Sequence, residues 1–138
     1  AVERAVAIAQ TKGAKRAVML AVSAPFHCAL MQPAADAMRE ALGSVTVNAP
    51  AVPVVANVEA APITDPGAIR DALVRPVTGT VRWRESVATM AAQGVDSFHE
   101  VGSGKVLTGL VKRIAAGASA AAIGGPEDVA AFKASLNG

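Results

Sequence analysis

Tyrosine is absent from the 138 residues, tryptophan occurs once, and aromatic residues make up 3% of the chain. Without an aromatic platform on which bases could stack, and with basic residues scattered rather than clustered, nucleic-acid binding has little support. Cysteine is equally scarce. Cys28 stands alone, which excludes an internal disulfide framework and a thiolate zinc cluster and fits a reducing, cytoplasmic setting. Long apolar runs are also missing: none approaches the roughly 20 residues of a membrane span. The opening Ala-Val-Glu-Arg-Ala-Val carries a carboxylate and no extended apolar stretch, unlike a secretory signal. It also begins without methionine, inside what reads as a helix, as a fragment would. Charge of either sign is modest, with a formal net of +2.

What the chain does have is apolar content, 52% of its residues. A core is therefore possible and disorder is not expected. Much of that content is alanine, which buries little area per residue, so stability is expected from helix packing rather than a few large anchors. Val2, Val6, Ala7 and Ile8 share a helical face closed by Gly13. Arg16–Val22 is a continuous apolar run that reads as a buried strand. Ser23–Phe26 breaks regularity and delivers His27 to the start of a helix reaching Leu42. Two short extended pieces follow, Val45–Val47 and Pro53–Asn57, then a loop over Glu59–Gly67. Asp65-Pro66 opens a helix to Val74. A helix from Trp83 to Gln93, a strand Val95–Val101, a helix Lys105–Ala116, a strand Ala118–Ile123 and a helix from Pro126 to Leu136 complete the order. Alternation of helix and strand with short connections indicates an α/β architecture with a largely parallel sheet.

Few segments could carry chemistry. His27 lies just past the expected end of a buried strand, the edge where α/β folds place their sites. It is a candidate general base for a hydroxyl nucleophile, or alternatively a packed helix-start histidine. Cys28 beside it is no natural partner, because neighbouring helical residues point about 100° apart. Gly102-Ser103-Gly104-Lys105 suggests a phosphate loop, but His99 stands where the first glycine is needed and Val106 where Ser or Thr is needed. His99 and Glu100 cannot pair on a metal from adjacent strand positions, which face opposite ways; His99 reads as a partly buried structural residue. No serine here lies in a Gly-x-Ser-x-Gly elbow.

The run Ala21-Val22-Ser23-Ala24-Pro25-Phe26-His27-Cys28-Ala29-Leu30-Met31 resembles the catalytic-histidine segment of the malonyl-CoA:acyl-carrier-protein transacylases of bacterial fatty acid synthesis. The likeness continues through Val47–Pro50, Pro53–Val58, Ala68–Arg75, Val81–Trp83, Met90–Val95 and Glu100–Leu110, in order. It implies an α/β-hydrolase-like parallel-sheet core, of which residues 23–138 would be the C-terminal part. Residues 1–22 would be the last helix and strand of an inserted ferredoxin-like subdomain. The resemblance implies malonyl transfer from coenzyme A to the phosphopantetheine thiol of acyl carrier protein through an acyl-serine, in the cytoplasm, with no metal or redox cofactor and no membrane or nucleic-acid partner. It makes His27 the catalytic base. The oxyanion-hole Gln, the elbow serine and the carboxylate-binding arginine would lie in an N-terminal half that precedes residue 1.

In this family a backbone carbonyl orients the histidine, often that of a Gln; by position Pro76 stands there, a departure that keeps the C=O. Phe26 is a substrate-pocket candidate, because Phe at this place in related acyltransferases goes with malonyl rather than methylmalonyl units. Asn57 is a second pocket candidate. Two other readings stand beside this one: a non-enzymatic truncated fragment acting as a folding or interaction module, and an acyltransferase domain cut from a polyketide synthase.

Overall fold

Helices dominate among the described residues, and two of the strands, Ser97–Val101 and Ser119–Ile123, are longer than two residues. A computed structural model describes residues 1–136. Asn137 and Gly138, the last two residues of the expected large-subdomain piece, lie outside the described residues. The elements in chain order are α1 (Val2–Thr11), a 3-10 turn (Ala29–Met31), α2 (Gln32–Gly43), β1 (Val54–Val55), β2 (Pro62–Ile63) and α3 (Pro66–Val74). A second 3-10 turn (Arg75–Val77), α4 (Trp83–Ala92), β3 (Ser97–Val101), α5 (Val106–Ile114), β4 (Ser119–Ile123) and α6 (Pro126–Ser135) follow.

The α/β class is seen in the β3–α5–β4 unit. Its strands pair in parallel from Ser97 opposite Ser119 to Val101 opposite Ile123, and a parallel pair needs such a crossover helix. Leu107, Leu110, Val111 and Ile114 recur at i, i+3, i+4 and i+7, the stripe of a helix that lies on a sheet. Val111 enters a core with Val87 and Ala115, against which Trp83, Met90, Phe98 and Ala120 pack. Gly94, at φ +91, turns the chain from α4 into β3, a conformation open to glycine.

A second group of buried residues belongs to α2 and α3, which pack on each other. Ala35 of α2 and Ile69, Ala72 and Val74 of α3 are buried. Half of the buried apolar residues are alanine, so helices approach closely instead of interlocking large side chains. Asp65 Oδ1 accepts the Ala68 amide at 2.7 Å, capping α3 with Pro66 just inside its start.

Several expected elements differ. Arg16–Val22 forms no strand: it pairs with nothing among the described residues, and Val18, Met19, Leu20 and Val22 are 56–75% exposed. A strand exists only with a partner to take its N–H and C=O groups, and the apolar pattern alone does not supply one. Val45–Val47 is irregular for the same reason. Only Val54–Val55 of Pro53–Asn57 is strand. Its partner is Pro62–Ile63, inside the stretch expected to be loop, and the pair is antiparallel. The helix expected at His27 starts later, as the 3-10 turn and then α2. His99 is exposed, its ring 4.7 Å from that of Phe132.

Candidate functional site: a histidine held by a backbone carbonyl

Residues 23–28 are shaped by local bonds rather than by a sheet. The Phe26 amide donates to the Ala24 carbonyl at 2.9 Å, folding the chain back on itself. His27 then takes φ +62, the left-handed region that non-glycine residues seldom occupy and that histidine visits more often than most. The chain returns to extended geometry at Cys28 before the 3-10 turn. This reversal keeps His27 out of the helix and turns its ring towards the Arg75–Val77 turn.

There the imidazole Nδ1 lies 2.7 Å from the Pro76 carbonyl oxygen, across 49 positions of sequence. A carbonyl only accepts, so Nδ1 must carry the proton, and in the neutral ring Nε2 is left with a free lone pair. Carbonyl geometry thereby selects both the tautomer and the direction of the ring. Around it is an open cleft of about 330 Å³ lined by Phe26, His27, Met31, Ala34, Met38, Pro76 and Val77. Met31, Ala34 and Met38 line it at helical spacing and make one wall apolar. Phe26 is 55% exposed, with its ring centroid 6.4 Å from that of His27.

The structure therefore brings Phe26, His27 and Pro76 together. Asn57 meets this group only through Pro76. Asn57 lines a neighbouring hollow of about 300 Å³ with Val54, Val55, Ile69 and Leu73, and Pro76 forms the wall common to both. The Cys28 thiol donates to the Pro25 carbonyl at 3.1 Å, so its one donor is used within its own loop.

Beneath Pro76 lies a support that spacing does not reveal. Arg75 forms an ion pair with Glu59. The Arg75 carbonyl accepts the amides of Thr78 (3.3 Å) and Gly79 (2.9 Å). Arg82 donates its amide to Asn57 O at 2.7 Å and its Nη1 to Glu59 O at 3.2 Å. Ala60, at φ +53, closes that loop. Arg75 was within reach of sequence reasoning only as a position in a matching run, and Glu59 left no signal at all.

Away from the cleft, the Gly102–Gly104 turn has an acceptor for its helix. The Glu100 carboxylate accepts the Leu107 amide (3.2 Å), the Thr108 amide (2.8 Å) and the Thr108 hydroxyl (2.7 Å). The Thr108 amide and then its hydroxyl hold that carboxyl below its ordinary range. Glu100 is thus committed to the start of α5, an anion at a helix N-terminus. Among the described residues, no group of three or more His, Cys, Asp or Glu side chains is placed to hold a metal, and no helix is long and apolar enough to cross a membrane.

Comparison with known proteins agrees with the run of matching segments. The chain is 55% identical over 131 residues to the malonyl CoA-acyl carrier protein transacylase of Escherichia coli strain K12, a stretch that is 95% of this chain and 42% of that protein. The crystal structure of acyl-carrier-protein S-malonyltransferase from Bartonella henselae matches with a TM-score of 0.85 at 52% identity, over 99% of this chain and 44% of that one. A malonyl-transacylase in complex with a type II PKS acyl-carrier protein matches with a TM-score of 0.82 at 45% identity, again over 99% of this chain and 44% of the other. This chain thus spans about two fifths of the length of such relatives. No family model matches it.

Proposed function

We propose that this chain, a relative of the malonyl-CoA:acyl-carrier-protein transacylases, is the histidine-bearing part of such an enzyme and supplies its general base. The observation that carries the reading is the 2.7 Å contact between His27 Nδ1 and Pro76 O, which leaves Nε2 as the free acceptor of a ring that lines an open, largely apolar cleft. The serine nucleophile, on this reading, comes from a Gly-x-Ser-x-Gly segment in an N-terminal half outside these residues. Residues 23–138 then complete an α/β-hydrolase-like core, and residues 1–22 end a ferredoxin-like insertion. The enzyme works in the cytoplasm, on malonyl-CoA and acyl carrier protein.

The chemistry follows from the tautomer. Nε2 takes the serine proton as the hydroxyl oxygen attacks the malonyl thioester carbon. The C–S bond then breaks, and the imidazolium returns that proton to the departing CoA thiolate, leaving malonyl as a serine ester. In the second half the phosphopantetheine thiol gives its proton to Nε2 and attacks the ester, and the serine oxygen recovers the proton. CoA and phosphopantetheine are substrates, so no cofactor is used. Phe26 beside the acyl α-carbon crowds a methyl branch, which favours malonyl; Asn57 supports the same wall from the neighbouring hollow.

The test is the intact mass of holo acyl carrier protein after incubation with malonyl-CoA and this chain. It is run with and without a complementing N-terminal piece from the E. coli relative. A malonyl mass gain only with both pieces, lost in His27→Ala, is the expected result. Transfer by this chain alone, or undiminished transfer in His27→Ala, overturns the assignment. One observation favours a second reading, of a fragment acting only as an interaction module: the exposed apolar run from Val18 to Val22. Absence of transfer in every mixture, together with stable association of the two pieces, would support it.

A further inference from the structure

We propose that the Glu59–Arg75 ion pair is a positioning device for His27 that acts through the Pro76 carbonyl; the proposal rests on the reading of His27 as the general base. Arg75 and Pro76 are consecutive in the 3-10 turn, so whatever fixes Arg75 fixes the direction of the next carbonyl. Proline has no N–H with which to anchor itself. The ties that hold the turn run through Arg75. The guanidinium pairs with Glu59, while the Arg75 carbonyl accepts two amides on the return of the chain. That return is packed to the limit: a Cβ on Gly79 would lie 2.9 Å from Arg75 O.

The main chain that carries the carboxylate is fixed as well, and both carboxylate oxygens are buried without a hydrogen bond, which leaves the ion pair as their partner. Glu59 sits in a loop tied to α4 by Arg82 on one side and by Thr89 on the other, whose hydroxyl donates to Ala60 O at 2.9 Å. Its side chain is 24% exposed against 54% for Arg75. Glu59 is thus the embedded partner and Arg75 the arm that reaches to it. An ion pair so exposed on one side contributes little to stability. Its value lies in direction, because a shift of about 1 Å in a group that aims a catalytic base can cost on the order of 100-fold in rate.

The experiment uses the transacylase assembled from this chain and the complementing N-terminal piece. Steady-state transfer from malonyl-CoA is measured alongside 15N spectra of the His27 ring. Glu59→Gln and Arg75→Met are each expected to lower kcat about tenfold with KM for malonyl-CoA little changed. In both, His27 passes from a single Nδ1-protonated tautomer to a mixture. Arg75→Lys keeps the charge and most of the activity. A wild-type kcat and ring spectrum in Glu59→Gln, beside an inactive His27→Ala, overturns the positioning role alone. Equal loss in Arg75→Lys and Arg75→Met also overturns it. Activity surviving in His27→Ala overturns the general-base reading instead.

Discussion

His27 occupies a backbone conformation that costs an L-residue roughly 1–2 kcal/mol, in exchange for a ring aimed at Pro76 O. Such strain persists where the surroundings over-determine it, and here the Phe26–Ala24 turn and the carbonyl contact do so. Glycine would adopt φ +62 freely, whereas alanine would keep the strain and lose the hydrogen bond. His27→Gly is therefore expected to be more stable than His27→Ala by about 1 kcal/mol, with transfer abolished in both. Urea denaturation of the two variants measures the difference. Equal midpoints would mean that the loop relaxes once the ring is gone and that no strain is held at this residue.

Among the elements, α5 has the clearest electrostatic dependence, because Glu100 from the end of β3 accepts three donors at its start. These bonds favour the ionised carboxylate and lower its folded pKa below the ordinary value near 4.5. The sign follows by linkage: the stabilisation is full above that value and is lost as pH falls through the lower folded one. Glu100→Ala is expected to melt below wild type at pH 7, and the gap should close as acid protonates Glu100 in the wild type; a gap independent of pH would refute the cap. Much at this scale was legible. The stripe Leu107, Leu110, Val111 and Ile114 marks α5, and Asp65-Pro66 and Pro126 mark the starts of α3 and α6. What failed was partner-dependent. Arg16–Val22 has a strand's composition, but no periodicity states whether another strand lies beside it, and two-residue strands such as Pro62–Ile63 fall below any pattern. At the site, His27 came from its place after an expected strand and from a matching run, and Pro76 from its position just past another run as a departure from the family pattern. The φ of His27 and the pairing of Glu59 with Arg75 arise instead from tertiary closure. Asn57 lines the hollow on the other side of Pro76, and adjacency in a family segment does not say which side of Pro76 a side chain faces.

For the molecule as a whole, the open question is what the Val18–Val22 run does in water. Val18, Met19, Leu20 and Val22 expose 56%, 58%, 75% and 70% of their surface without a strand to pair with. Contiguous apolar surface on backbone that no strand pairs is a template for association. The modest net charge of +2 offers little long-range repulsion to oppose it. The isolated chain is therefore expected to elute from gel filtration as a concentration-dependent mixture with species larger than a 13.8 kDa monomer. Leu20→Lys with Val22→Lys should shift it towards monomer, because both positions already face solvent and a charge there costs the monomer little. If the run docks on the complementing N-terminal piece, that piece should suppress self-association of the wild type, and the double lysine variant should bind it more weakly. A wild-type chain that stays monomeric at every concentration, with the lysine variant unchanged, would show that this run is satisfied by water and that the molecule's cohesion resides in its two helix-lined cores.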